Sequence, residues 1–328
     1  LNEFVIPEIV ALSGGLAARH YPLDRARVLQ NSFSQLLSRH LGGLQSGARF
    51  ETGALLVTGP SGAGKSKEIG DLLGRFNASD TRLPSGAMAS FADCVLSSKE
   101  GWKDLGKNTL RDLGYPIHDK ARRTQTEIWN LVVDQAKRKG CIGIHYDEAQ
   151  HIMRGRGQGE LLAILDAFKA LMKSHDWPLM LILSGVPELA DYVRQEPQLF
   201  RLTTRVRFED IDLTEREDGS LGDYLTLNTI LGSYADKEAI EVPDELRDIE
   251  FLHRLATAAA FRWGLVFEIV LAALQVAIGR GARELTRQDF DKAWADKTGI
   301  AEIASPFSSP NYRSIYRRDR PFEEAYLD

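Results

Sequence analysis

The chain has 328 residues, 43% of them hydrophobic and 27% charged, with a formal net charge of −5. These fractions are those of a folded globular protein, and the length suggests about two domains. No run of about 18 apolar residues is present, so no membrane span is expected, and no basic segment followed by an apolar one marks a secretory signal at the N-terminus. The mild acidity does not announce a nucleic-acid binder, nor does it exclude one, because such binding depends on a local basic face. Cys94 and Cys141 are the only cysteines. Without ligand-spaced His and Cys clusters they read as small apolar fillers in a reducing cytoplasm.

Residues 1–20 mix apolar positions with Ser13-Gly14-Gly15 and read as an arm with little core of its own. From Leu23 to Leu41, Val28, Leu29, Phe33, Leu36 and Leu37 recur at helical spacing. A polar loop follows, Gln45 to Thr52, and then the apolar run Ala54-Leu55-Leu56-Val57-Thr58, long enough for a buried strand. Directly after it stands Gly59-Pro60-Ser61-Gly62-Ala63-Gly64-Lys65-Ser66, and a helical pattern runs from Glu68 to Phe76. Strand, glycine-rich turn and helix are the context in which G-x-x-x-x-G-K-[ST] is a phosphate loop. Backbone N–H groups in such a loop converge on a polyphosphate, and the positive end of the next helix adds to the field. Lys65 would reach the β and γ phosphates, and the Ser66 hydroxyl would sit on Mg²⁺.

Ala87 to Ala92 is the expected second strand. Between Ser97 and Gly114, Lys99, Lys103, Lys107 and Arg111 recur at intervals of four, which on a helix gives one cationic face. Two readings stay open for it: a solvated face, or a stripe contacting nucleic-acid phosphates. Thr126 to Lys139 is an amphipathic helix whose basic last turn and Gly140 suit its negative end. The next apolar run, from Cys141, ends in Asp147-Glu148. At the end of a parallel strand Asp147 can complete the metal shell opposite Ser66, while Glu148 polarises a water aimed at the γ phosphate. The second carboxylate favours hydrolysis over transfer to a small molecule.

Arg154-Gly155-Arg156-Gly157-Gln158-Gly159 is a basic loop that either connects strand to helix or touches a polyanion. Glu160 to His175 is an apolar core helix, and Leu179 to Ser184 a further buried strand, its end placing Ser184 near the attacking water. Pro187-Glu188-Leu189 starts a helix. Arg201, Arg205 and Arg207 then surround a last strand; they form its wet face, or one of them donates charge to a neighbouring subunit's nucleotide. Charge and glycine at 215–219 mark a boundary. Helical patterns at Leu221–Tyr234, Asp244–Phe261, Leu265–Ile278 and Arg287–Lys297 make a small all-helical domain. Residues 301–328 lack periodicity yet carry aromatic and arginine side chains, as expected of an extended partner-binding tail.

The order of these parts resembles that of AAA+ ATPases, with a parallel α/β sheet flanked by helices and a smaller helical lid. More narrowly it resembles the transposon-encoded regulators of the TniB and TnsC type, kin to the phage Mu target-selection ATPase. The resemblance rests on Tyr21-Pro22 with Arg25, on Gly59 to Ser66, on Asp147-Glu148-Ala149-Gln150-His151, on Ser184-Gly185-Val186-Pro187-Glu188-Leu189 and on Pro197-Gln198-Leu199 ahead of Arg201 and Arg205. It covers residues 15–300 and implies an arm (1–20), an AAA+ domain (21–213), a lid (214–300) and a tail (301–328). It further implies that Lys65, Ser66 and Asp147 hold ATP and Mg²⁺, that Glu148 activates water and that Ser184 is a first sensor. Arg205, or else Arg201, would be a finger acting in trans. The lid departs from the pattern, because a Gly-x-x-Arg helix opening is missing and Arg262 alone stands nearby to meet nucleotide. Implied partners are further copies of the chain in a ring or filament, double-stranded DNA bound without sequence reading, a transposase and a target-selection protein. Lys99, Lys103, Lys107, Arg154 and Arg156 are the candidate DNA contacts. Two other readings are a secretion or envelope ATPase acting on a protein partner, and a small-molecule phosphoryl transferase.

Overall fold

The structure, a computed structural model, describes residues 21–96, 101–118, 122–215 and 221–315, excepting the side chains of 314 and 315. Two compact units are present. The first comprises Pro22–Ser61 with Lys65–Phe208, and the second contains the described residues from Glu209 onward together with Tyr21 and Gly62–Gly64. The expected arm lies outside the described residues.

The first unit is an α/β domain. In chain order it runs α1 (Asp24–Ser46), β1 (Ala54–Thr58), α2 (Lys65–Asn77), β2 (Ser90–Val95), α3 (Trp102–Asp112), α4 (Gln125–Lys139) and β3 (Cys141–Asp147). A short 3₁₀ turn (Ala149–Ile152), α5 (Gln158–Met172), β4 (Met180–Gly185), α6 (Glu188–Arg194), α7 (Pro197–Leu202) and β5 (Thr203–Arg207) complete it. The strands form one parallel sheet in the order β2-β3-β4-β1-β5. Its three central strands are buried along their whole length, which is why they read as unbroken apolar runs: a parallel sheet needs cover on both faces. The helix ends follow local chemistry. Thr124 and Glu127 form a reciprocal capping box at the start of α4, and Gly140 ends that helix in the left-handed region at φ 68°.

One strand is displaced from expectation. Pairing with β3 begins at Ser90, because Met88 bridges back to Arg82 and the Ala89 N–H donates to Thr81 instead. Cys94 and Cys141 are free and buried, and burial pushes the Cys141 thiol up to about 11.

The second unit is helical: α8 (Tyr224–Lys237), α9 (Ile249–Ala258), α10 (Trp263–Gly279), α11 (Arg287–Thr298) and α12 (Tyr312–Ile315). The continuous helix expected over Asp244–Phe261 is broken. A 3₁₀ turn spans Asp244–Leu246, and Asp248 caps α9 by accepting the Phe251 N–H at 2.6 Å. Among the described residues no single helix is long and apolar enough to cross a membrane.

The expected extended tail is also corrected over its described part. Phe307 is fully buried against Phe251 and Phe290, and Asp291 accepts from the hydroxyls of Ser305 and Ser308. The buried Arg254 guanidinium donates to the carbonyls of Pro306, Phe307 and Ser309 and stacks on Tyr312, 4.2 Å from its ring centre. One aromatic anchor and one arginine gathering three carbonyls thus fold an aperiodic segment onto α9 and α11. Residues 316–328 lie outside the described residues. Phe307→Ala should therefore cost about 3–5 kcal/mol in chemical denaturation; a cost below about 1 kcal/mol, as at a surface position, would show that the segment is no part of the helical core.

Candidate nucleotide-hydrolysis site

The strand order places the tips of β1, β4 and β3 in a row, and open parallel sheets bind ligands at such carboxyl ends. The loop after β1 contains Gly62 at φ 80° and Gly64 at φ 91°, conformations that side chains disfavour and that turn backbone N–H groups to one side. Lys65, the first residue of α2, is buried, and its Nζ donates to the carbonyls of Gly59 (2.8 Å) and Pro60 (3.0 Å). Pro60, Ser61 and Ala63 fill the remaining loop positions.

Asp147 ends β3 and is the centre of the polar network. Its carboxylate accepts from the Ser184 hydroxyl at 2.6 Å, from the Ser66 hydroxyl and from the Glu148 N–H at 3.0 Å. Burial works to raise its pKa, but the Ser184 and Ser66 hydrogen bonds, nearby His145 and the Glu148 N–H outweigh it and hold the carboxyl below its ordinary value. Ser184 is fully buried at the end of β4, one strand away. Ser66, Asp147 and Ser184, predicted separately from the sequence, are therefore in direct contact.

Glu148 follows in a left-handed conformation, φ 53° and ψ 40°, uncommon for a residue with a side chain and the kind of strain that concentrates at functional sites. The buried Gln150 donates its amide to Glu148 Oε2, while its own Oε1 accepts the Val186 N–H at 3.4 Å. A Cβ at position 185 would lie 2.0 Å from that Gln150 oxygen. Gly185 thus makes room for the side chain that holds Glu148. Gln150 and His145 were missed as site residues by sequence reasoning. His145 meets Asp93 and Ser184 at 2.7 Å each, through its two ring nitrogens. The Asp-Glu-Ala-Gln run was the one signal for Gln150; a histidine inside an apolar strand gave none for His145.

The arginines after β4 differ in their partners. Arg201 has a side chain 71% exposed, and its guanidinium is 4.0 Å from Glu51. Arg205, on β5, lies over the Phe200 ring at 4.5 Å. Arg262 belongs to the second unit, at the N-cap of α10.

The cationic stripe does not form as expected. Lys99 lies outside the described residues, and Lys107 is buried with only 8% exposure while Lys103 is half-buried. On α3 Lys107 is buried along with Leu105, Thr109 and Leu110, so the shared face is not a solvent-exposed one. Arg154 and Arg156 both have carboxylate partners, Glu188 and Glu160, each at 2.6 Å.

Among the described residues no group of three or more His, Cys, Asp or Glu could hold a metal by itself. The donors present are one hydroxyl and one carboxylate beside a phosphate-type loop, which suits Mg²⁺, a hard cation that takes one or two carboxylates and completes its shell with water and substrate phosphates.

Comparisons with known proteins agree with this geometry. Residues 48–193 match the family model described as AAA domain. The structure resembles that of the Aeropyrum pernix ORC2 protein in its ADPNP–ADP complexes, with a TM-score of 0.55 at 15% identity over 88% of this chain and 73% of that one. It also resembles the Aeropyrum pernix ORC1 protein in complex with DNA (TM-score 0.56, 15% identity, 84% and 65% covered). Cdc6p from Pyrobaculum aerophilum is similar as well (0.58, 12%, 87% and 70%). No curated protein matches the chain. With the loop, the Asp147 network and the sheet order in place, residues 48–193 match an AAA domain, the fold is the P-loop AAA+ fold, and the chain is an ATPase.

Proposed function

We propose that the protein is a transposition regulator of the TniB and TnsC type, an ATPase that assembles as a ring or filament on double-stranded DNA when ATP is bound. In this reading it links a target-selection protein to the transposase, and hydrolysis dissolves the assembly. The observation that carries the enzymatic part is the contact of Ser66, Asp147 and Ser184 at the strand tips. The DNA part is supported by the Ser184–Leu189 and Pro197–Leu199 segments and by the likeness to a protein whose structure was solved with DNA.

On ATP binding, Lys65 would exchange the carbonyls of Gly59 and Pro60 for phosphate oxygens, replacing neutral acceptors with charged ones. Mg²⁺, held by Ser66 and Asp147, would neutralise charge building on the phosphates. Glu148 has one carboxylate oxygen engaged by Gln150, which leaves the other to take a proton from water. The water oxygen bonds the γ phosphorus as the bond to the bridging oxygen breaks, Glu148 receives the proton, and ADP and phosphate leave. Arg201 or Arg205 of a neighbouring copy would stabilise that charge, so nucleotide state governs the interface. Both arginines are exposed.

Lys103 follows β2, and Arg154 and Arg156 follow β3. These strands are neighbours, so all three residues issue from one end of the sheet. Phosphate contacts from that end would give sequence-independent, steeply salt-dependent binding. The exposed Arg154–Glu188 pair is of a kind worth little, about 0–1 kcal/mol, and so is readily exchanged for a phosphate.

Electron microscopy and gel filtration with duplex DNA and a nonhydrolysable ATP analogue test the reading. Assemblies are expected with both ligands; ATP-dependent assembly that ignores DNA would favour the secretion or envelope reading, and a persistent monomer would contradict both. Lys65→Ala should abolish nucleotide binding, whereas Glu148→Gln should bind ATP normally and trap the assembly, as a binding assay beside a turnover assay will show. Equal loss of ATP affinity in both variants would contradict these roles. Arg154→Glu with Arg156→Glu should weaken DNA binding and lower the slope of log affinity against log salt by about 1 for each DNA phosphate that the variant no longer neutralises. An unchanged slope would remove both residues from the DNA surface.

A further inference from the structure

A line of side chains crosses one face of the sheet from its β2 edge to the strand tips. Asp93 stands opposite His145 in the β2–β3 register. His145 and Asp147 are two residues apart on β3, so they share a face, and Ser184 reaches both from β4. Three contacts join them: His145 Nδ1 to Asp93 Oδ1 at 2.7 Å, His145 Nε2 to Ser184 Oγ at 2.7 Å, and Ser184 Oγ to Asp147 Oδ1 at 2.6 Å.

The directions of these bonds are constrained. Ser184 has a single hydroxyl proton, and the carboxylate of Asp147 accepts it. The Ser184 oxygen must then accept from His145 Nε2–H. Without that donor the hydroxyl is free to turn its proton toward the ring and release Asp147. The ring in turn is held in its plane by Asp93 at the opposite nitrogen. Burying an imidazole costs free energy unless both nitrogens are satisfied, and here both partners lie along the path to the metal carboxylate.

We propose that His145 and Asp93 are positioning residues of the ATPase site: they fix the Ser184 hydroxyl, and through it the orientation in which Asp147 meets the metal. The inference rests on the assignment of Asp147 to Mg²⁺. Neither residue touches nucleotide in this account; they act as the outer partners that orient a metal ligand, whose loss typically costs about 10–100-fold in metal affinity or activity. Asp93 is suited to a test, because its side chain is 50% exposed against 2% for His145, so replacing it opens no cavity in the core while taking from His145 Nδ1 its one partner at that atom.

The experiment compares the full chain with Asp93→Ala, Asp93→Asn, Ser184→Ala, Asp147→Ala and the Asp93→Ala/Ser184→Ala pair. Mn²⁺ affinity in the presence of a nonhydrolysable ATP analogue is read by electron paramagnetic resonance, and analogue affinity is read separately in chelator. Asp93→Ala should weaken Mn²⁺ by about tenfold and leave metal-free analogue affinity unchanged. Asp93→Asn should restore most of the loss, since its amide can hydrogen-bond Nδ1 either through its oxygen or through its NH₂ group. The double variant should be no weaker than Ser184→Ala alone, because residues acting in series are not additive. Wild-type Mn²⁺ affinity in Asp93→Ala, or losses that add in the double variant, would overturn the inference. Asp147→Ala separates the two levels: if it binds Mn²⁺ normally, the metal assignment itself fails, whereas its loss of Mn²⁺ beside an unaffected Asp93→Ala refutes the positioning role only.

Discussion

A carboxylate buried at a strand tip is tolerable only when hydrogen bonds replace the water it has lost, and Asp147 meets that condition with the hydroxyls of Ser66 and Ser184. The sheet order makes this possible. With β4 inserted between β1 and β3, Ser184 lies beside Asp147 on one side and beside Val57 of β1 on the other. The phosphate loop leaves β1 directly beyond, so a hydroxyl from the first helical turn of α2 can reach across. An order in which β1 and β3 were neighbours would leave no place for the serine between them.

The same economy governs the second carboxylate. Glu148 is held away from an ordinary turn by its left-handed backbone and by the Gln150 amide, and Gln150 fits only because position 185 has no side chain. Asp147 and Glu148 are thus supported from different sides. The Ser184 hydroxyl within the sheet, itself in contact with His145, and the Ser66 hydroxyl of α2 serve Asp147, while an amide from the following 3₁₀ turn serves Glu148. Backbone strain of this kind costs on the order of 1–3 kcal/mol and persists only when the surroundings impose it.

Much of this was legible in the sequence because it is local. The loop, the Asp147-Glu148 pair, Ser184 and the buried strands each announce themselves within eight residues or fewer, through spacing or through unbroken apolar runs. What was not legible depends on register. Asp93 and His145 are brought opposite each other by parallel pairing between distant segments, and neither sits in a motif. The lysines of α3 misled because an interval of four puts residues on one face but does not say whether that face meets solvent, and Lys107 is buried beside a half-buried Lys103. The segment through Phe307 misled because a single buried ring and the three-carbonyl grip of Arg254 leave no periodic trace. The two narrow segments that suggest the transposition branch are short, and the structural likenesses carry the fold rather than that branch.

In the proposed function, the contacts of Lys65 with the loop carbonyls and of Ser66 with Asp147 are the ones that nucleotide and metal would replace. A high-resolution structure with Mg²⁺ and a nonhydrolysable ATP analogue tests this most directly. The expected result is Lys65 Nζ moved from the Gly59 and Pro60 carbonyls to phosphate oxygens, with Ser66 and Asp147 facing one metal ion. A nucleotide bound elsewhere, with Lys65 still on those carbonyls and no metal between Ser66 and Asp147, would contradict it.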